Sequence, residues 1–162
     1  MCIRDRVEGE LAVVIGRICK DVPVERAQEA IFGFTVANDV TADGDWGADD
    51  MIRAKGSDTF CPLGPWMVTH FSVAEAGNVR LRTTVDATVC QEASTSEMIR
   101  SVSELVSEIS SRLTLLPGDV ILTGTPAGAA PVVPRQQVEV EIEGIGTLVN
   151  SVVAGQNAVV EG

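Results

Sequence analysis

The chain has 162 residues, 45% of them hydrophobic, which suits one domain with a packed core. Twelve basic against twenty-three acidic side chains give a formal charge of −11, which repels phosphate backbones and anionic lipid surfaces and argues against nucleic acid or membrane as a partner. No apolar run reaches about 18 residues, the charged start does not read as a signal peptide, and four dispersed cysteines form no Cys-x-x-Cys pair. A cytoplasmic protein with reduced thiols, without a zinc site or disulfide framework, is expected.

Along the chain, Arg4, Asp5 and Arg6 interrupt any strand or helix pattern, so residues 1–6 read as a non-native or disordered start. The domain is expected to run over 7–162 and to be incomplete at its N-terminal side. Leu11 to Ile15, stopped by Gly16, reads as a strand buried on both faces. Pro23 opens a short helix over Val24 to Phe32, with Gly33 as its stop, and Phe34 to Ala37 is a second buried strand that delivers Asn38 and Asp39 to a polar loop. That loop, Thr41 to Asp58, holds five aspartates and no clear periodicity. Its length fits a functional or mobile segment.

After the cluster Pro62-Leu63-Gly64-Pro65, strands are expected over Trp66–Phe71, Val79–Val89 and Val138–Ile142. One long helix runs from Val102 to Leu113, with Ser101 and Glu104 at capping-box spacing and Val102, Leu105, Val106, Ile109 and Leu113 on one apolar stripe. Val120-Ile121-Leu122 is a short strand ending in Thr123-Gly124-Thr125-Pro126. Mostly strands, one long and one short helix, and no regular βαβ alternation indicate an α+β fold that is predominantly β.

Side chains two apart share a face of a strand, so Glu8 and Glu10 point the same way. Such like charges converge comfortably around a cation, and hard oxygen ligands suit Mg²⁺, Mn²⁺ or Ca²⁺; the alternative is a solvated strand edge. Asp39 stands at the mouth of the long loop, as either a site residue or a turn cap. Lys55 is one of only two lysines, and nothing local separates it from surface charge. The Thr123–Pro126 turn could offer hydroxyls and N–H groups to an anion or be a plain turn. His70, the only histidine, reads as structural, and no nucleophile elbow, phosphate loop or dinucleotide fingerprint is present.

Taken in order, Glu8-Gly9-Glu10-Leu11-Ala12-Val13-Val14-Ile15-Gly16, Gly33-Phe34-Thr35-Val36-Ala37-Asn38-Asp39-Val40-Thr41, Lys55-Gly56-Ser57-Asp58 with Pro62 to Trp66, and Leu116-Pro117-Gly118-Asp119-Val120-Ile121-Leu122-Thr123-Gly124-Thr125-Pro126-Ala127-Gly128 resemble the fumarylacetoacetate hydrolase family over about Val7 to Val153. The resemblance implies a β-sandwich roll in which Glu8, Glu10 and Asp39 match the family's metal-binding carboxylates, holding Mg²⁺ or Mn²⁺. It also implies that Lys55 and Thr125 match the substrate-contacting lysine and threonine, with Lys55 steadying negative charge during catalysis. The expected activity is hydrolysis of C–C bonds in small 2-oxo acids or β-diketones through a metal-stabilised enolate. Isomerase or decarboxylase chemistry, or a catalytically weak dimerising β-domain, are the alternatives, and a homodimer belongs to the family pattern. Two departures accompany the match: Asp43 stands where the family usually carries an arginine, and the usual upstream His-Glu pair has no counterpart in the short segment before Glu8.

Overall fold

The computed structural model describes residues 5–42, 44 and 50–154. In chain order its elements are β1 (Arg6–Val7), β2 (Gly9–Ile15), α1 (Ala27–Ala30), β3 (Ile31–Asn38), α2 (Met51–Lys55), β4 (Leu63–Val68), α3 (Val73–Ala76), β5 (Arg80–Val85), β6 (Thr88–Ser94), α4 (Val102–Arg112), β7 (Val120–Leu122), β8 (Ala130–Pro131), β9 (Gln137–Ile142) and β10 (Gly146–Ser151). Strands pair antiparallel throughout, in one sheet ordered β4-β3-β2-β7, a second ordered β10-β9-β5-β6, and a two-stranded β1-β8 ribbon. The fold is mostly β with few helices.

The core forms where the two larger sheets meet. Leu11, Val13, Ile15, Phe34 and Val36 from the first pack in one cluster with Leu81, Val138, Val140, Ile142 and Leu148 from the second. β2 is the central strand and all seven of its residues are buried, which accounts for its continuous apolar run. α4 begins at a capping box in which the Ser101 hydroxyl accepts from Glu104 N–H and the Glu104 carboxylate accepts from Ser101 N–H. Its Val102 and Val106 enter the core, whereas Leu113, expected on the same stripe, is the C-cap and is half-exposed. The Lys20 ammonium donates to the carbonyls of Ser110 and Ser111 at 3.1 and 2.6 Å, a cation placed at the negative end of the helix dipole.

Several expected boundaries shift for identifiable reasons. The helix over Val24 to Phe32 is a 3-10 turn at Val24–Arg26 followed by the single turn α1, and Ile31 and Phe32 already belong to β3. Gly33 is no helix stop. A Cβ there would lie 2.5 Å from the Val68 carbonyl oxygen, so it is a point of close strand approach. The run Val79 to Val89 divides into β5 and β6 at Asp86-Ala87, both with positive φ (48° and 65°), as a two-residue hairpin turn demands. β4 begins at Leu63 inside the proline cluster, three residues before the expected start, because an edge strand tolerates Pro65. The capping box of Ser72 and Glu75 then starts α3 and ends the extended run before Phe71.

Arg6, expected outside the domain, lies in β1. Its N–H donates to Thr41 and its C=O accepts from Thr41 N–H, at 2.8 and 3.0 Å, and the Asp5 carbonyl accepts from Val132 N–H. Asp43 falls outside the described residues. The flanks of its loop are ordered by α2, whose Ala54 carbonyl accepts from Ala42 N–H at 2.7 Å. Among the described residues Cys19, Cys61 and Cys90 are free thiols, and no helix is long and apolar enough to cross a membrane.

Candidate metal centre

The site is built at the end of β2 where its two neighbouring strands stop. On one side β3 ends at Asn38, and the chain continues the pairing for one further step: Asp39 N–H donates to the Glu8 carbonyl at 2.8 Å, and the buried Asn38 side chain accepts from Glu8 N–H at 3.0 Å. This brings Asp39 beside Glu8. On the other side β7 ends at Leu122. Thr123 then donates through both its N–H and its hydroxyl to the Leu11 carbonyl, and the chain curls so that Gly124 N–H reaches the Glu10 carboxylate at 2.6 Å.

Glu8 and Glu10 share one face of the strand, as their spacing predicts, and with Asp39 they bring three carboxylates together, one oxygen of each lying within 4.8 Å of the others. Lys55, from the last turn of α2, reaches the same point. Its ammonium donates to Glu8 Oε2 at 3.1 Å, Asp39 Oδ2 at 2.5 Å and Thr41 Oγ1 at 2.9 Å. Local pattern around Lys55 does not foretell this contact, which spans 47 residues to Glu8; only the family resemblance marked the residue.

Burial dominates the electrostatics. Glu10 is 4% exposed, and desolvation, opposed by the Gly124 hydrogen bond and reinforced by the charges of Asp39 and Glu8, pushes its pKa up to about 7. For Lys55, burial alone would pull the ammonium down, but its hydrogen bonds to Asp39 and Glu8 prevail and hold its pKa above the usual lysine value. Cys61 faces the same field: burial, then the charges of Asp39 and Glu10, raise its thiol pKa.

The donor set fits a hard divalent cation. All three ligand groups are carboxylates, and against the single ammonium of Lys55 they leave two formal negative charges, the complement of one M²⁺.

Thr125 has a different setting from the one its turn suggests. Its hydroxyl donates to the Gly9 carbonyl at 2.9 Å and accepts from the Gln91 side chain at 2.7 Å. Gln91, which sequence reasoning passed over, is 1% exposed and belongs to the opposite sheet. A lone glutamine in an edge strand carries no signal that could have marked it. His70 stands on the exposed stretch between β4 and α3 and packs edge-on against Phe71, ring centroids 5.1 Å apart.

The family model described as fumarylacetoacetate (FAA) hydrolase C-terminal matches residues 4–153. The chain belongs to the fumarylacetoacetate hydrolase family. Among its family relatives, protein Rv2993c of Mycobacterium tuberculosis is 52% identical, over 90% of this chain and 56% of its own length. A solved 5-carboxymethyl-2-hydroxymuconate delta-isomerase of Mycobacterium smegmatis superposes with a TM-score of 0.85 at 50% identity, covering 94% of this chain and 61% of that one. Maleylpyruvate hydrolase from Sphingobium sp. SYK-6, solved in complex with manganese(II) ion and pyruvate, gives a TM-score of 0.86 at 31% identity over 94% of this chain and 56% of that one. The chain therefore spans little more than half the length of these family members.

Proposed function

We propose that this chain carries the metal-binding and substrate-orienting part of an enzyme that cleaves C–C bonds of small 2-oxo acids or β-diketones. The observation that carries this reading is the convergence of Glu8, Glu10 and Asp39 with Lys55 on the same carboxylates. In this reading Glu8, Glu10 and Asp39 hold Mg²⁺ or Mn²⁺. The bound cation supplies Lewis-acid stabilisation of the negative charge that develops when a C–C bond breaks or an α-proton moves. The relative crystallised with manganese and pyruvate, a 2-oxo acid, supports both the metal and the substrate class.

The protein's own groups then divide the work. Gly124 N–H holds one oxygen of Glu10 and so orients that carboxylate. Lys55 keeps a positive charge at the mouth of the site, where it steadies an anionic substrate, and its three acceptors fix where that charge sits. The Thr123 and Gly124 N–H groups are committed to the Leu11 carbonyl and the Glu10 carboxylate, so within this turn the Thr125 N–H is the backbone donor offered to a substrate carboxylate.

A second reading, isomerisation of a hydroxymuconate-type acid, is favoured by the half-identity to the solved mycobacterial isomerase. It would use the same cation, lysine and turn, but it only moves a proton between carbons, whereas hydrolysis also adds a water and breaks a C–C bond. Assays of the whole protein with Mn²⁺ or Mg²⁺ on an acylpyruvate, oxaloacetate and a carboxymethyl-hydroxymuconate distinguish these reactions. Turnover of the acylpyruvate alone supports hydrolysis, and turnover of the muconate alone supports the second reading. Absence of Mn²⁺ binding in a titration removes both.

A further inference from the structure

We propose that Gln91 is a positioning residue for the metal centre, and that the Thr125 hydroxyl acts with it in holding the glutamates rather than as a hydrogen-bond donor to a ligand. The inference rests on the metal reading above and deepens it.

β2 is paired on both sides only as far as β7 extends, and β7 stops at Leu122, opposite Ala12. In an antiparallel ladder the N–H and C=O of one residue point to the same side. Those of Gly9 point to the side that β7 has left, where they are buried and would be orphaned. Two side chains replace the missing strand. Gln91 Oε1 accepts from Gly9 N–H at 3.0 Å, and Thr125 Oγ1 donates to Gly9 O at 2.9 Å. The pair is itself closed by Gln91 Nε2 donating to Thr125 Oγ1 at 2.7 Å, with a further bond to the Pro126 carbonyl at 2.8 Å. Carboxamide chemistry fixes the orientation: Gly9 offers a donor and Pro126 an acceptor, so the oxygen faces the first and the nitrogen the second.

The ring encloses the residue between the two glutamates, so its geometry sets the peptide units on which Glu8 and Glu10 are mounted. It also lets the chain after Leu122 leave the sheet, which frees Gly124 N–H to turn toward Glu10. A continued β7 would have paired Gly9 with Thr125 but turned the Gly124 N–H, opposite Glu10, away from β2 and off the free edge of the sheet. The single hydrogen of the Thr125 hydroxyl is committed to Gly9 O, so a ligand can meet this residue only through its backbone N–H or a remaining lone pair.

A merely structural ring would affect stability alone; a positioning ring changes the affinity of the folded protein for the cation. Mn²⁺ binding is measured by EPR titration on the wild-type chain, Gln91→Met, Thr125→Val, Thr125→Ser and Asp39→Asn, at temperatures where circular dichroism shows each folded. Gln91→Met and Thr125→Val are expected to weaken Mn²⁺ binding about tenfold or more, and Thr125→Ser, which restores the hydroxyl, to stay within ~3-fold of wild type. Wild-type affinity in Gln91→Met overturns the proposal. Should Gln91→Met fail to fold, the threonine pair decides: a gap of about tenfold between valine and serine supports the ring, and equal affinities overturn it. A wild-type chain that binds no Mn²⁺ overturns the metal reading itself and this inference with it. Binding in the wild type that only Asp39→Asn abolishes leaves the metal reading standing and removes the role of Gln91.

Discussion

The backbone N–H of Gly124 donates to Glu10 Oε2 at 2.6 Å, and it is the one hydrogen bond described for a carboxylate that is only 4% exposed. One donor does not offset the loss of water together with the charges of Asp39 and Glu8. Glu10 therefore holds its proton up to about pH 7.

The sign of the pH dependence follows. A carboxyl whose folded pKa lies above its ordinary 4.5 contributes stability that is fully present below that value and is lost as pH rises through about 7. In EDTA, the melting temperature of the chain should carry a decreasing contribution between about pH 4.5 and 7 that Glu10→Gln abolishes. Because cation and proton compete for Glu10, Mn²⁺ affinity should rise by up to about tenfold per pH unit below 7 and level off above it. Calorimetric titrations at four pH values measure both limits, and a flat affinity from pH 5.5 to 8 would contradict the assignment.

Lys55 competes with the cation for charge but not for every oxygen, since it engages one oxygen of Glu8 and one of Asp39. Lys55→Met should therefore leave Mn²⁺ binding in place or tighten it, while lowering kcat of the whole protein about 10²-fold or more through loss of the charge that faces the substrate. Loss of metal binding together with activity would place Lys55 in the architecture of the centre instead.

Asp39→Asn keeps the shape of the β3 end and removes one ligand charge. The rise in melting temperature that about 1 mM Mn²⁺ gives the wild type through mass action should disappear in this variant. Thermal unfolding with and without the ion reads it directly.

Gly9 is hemmed in from the opposite sheet: a Cβ there would lie 2.2 Å from Thr83 Oγ1 and 2.9 Å from Val140. Gly9→Ala should destabilise the fold by about 2–3 kcal/mol through overpacking, and should weaken Mn²⁺ binding as well because the displaced residue sits between two ligands. Urea denaturation gives the first quantity. An unchanged midpoint would mean that the sheets separate without cost.

What the sequence determined by itself is what short-range physics controls. The two-residue spacing of Glu8 and Glu10 puts both on one face of any strand, the apolar run of β2 requires burial on both faces, and Ser101 with Glu104 starts α4 by satisfying helix N–H groups locally. The ordered motifs identified the family and marked Asp39 and Lys55. Tertiary structure decided the rest, because the contacts that matter join residues far apart in the chain. Pairing of Ile31 with Ile15 of β2 drew Ile31 and Phe32 into a strand against their helical pattern, and the hairpin register bent Asp86 and Ala87 into positive φ. Lys55 meets Glu8 across 47 residues and Gln91 meets Gly9 across 82. Both contacts depend on where strands end, and a strand's end is set by which neighbours remain to pair with it and not by its own residues.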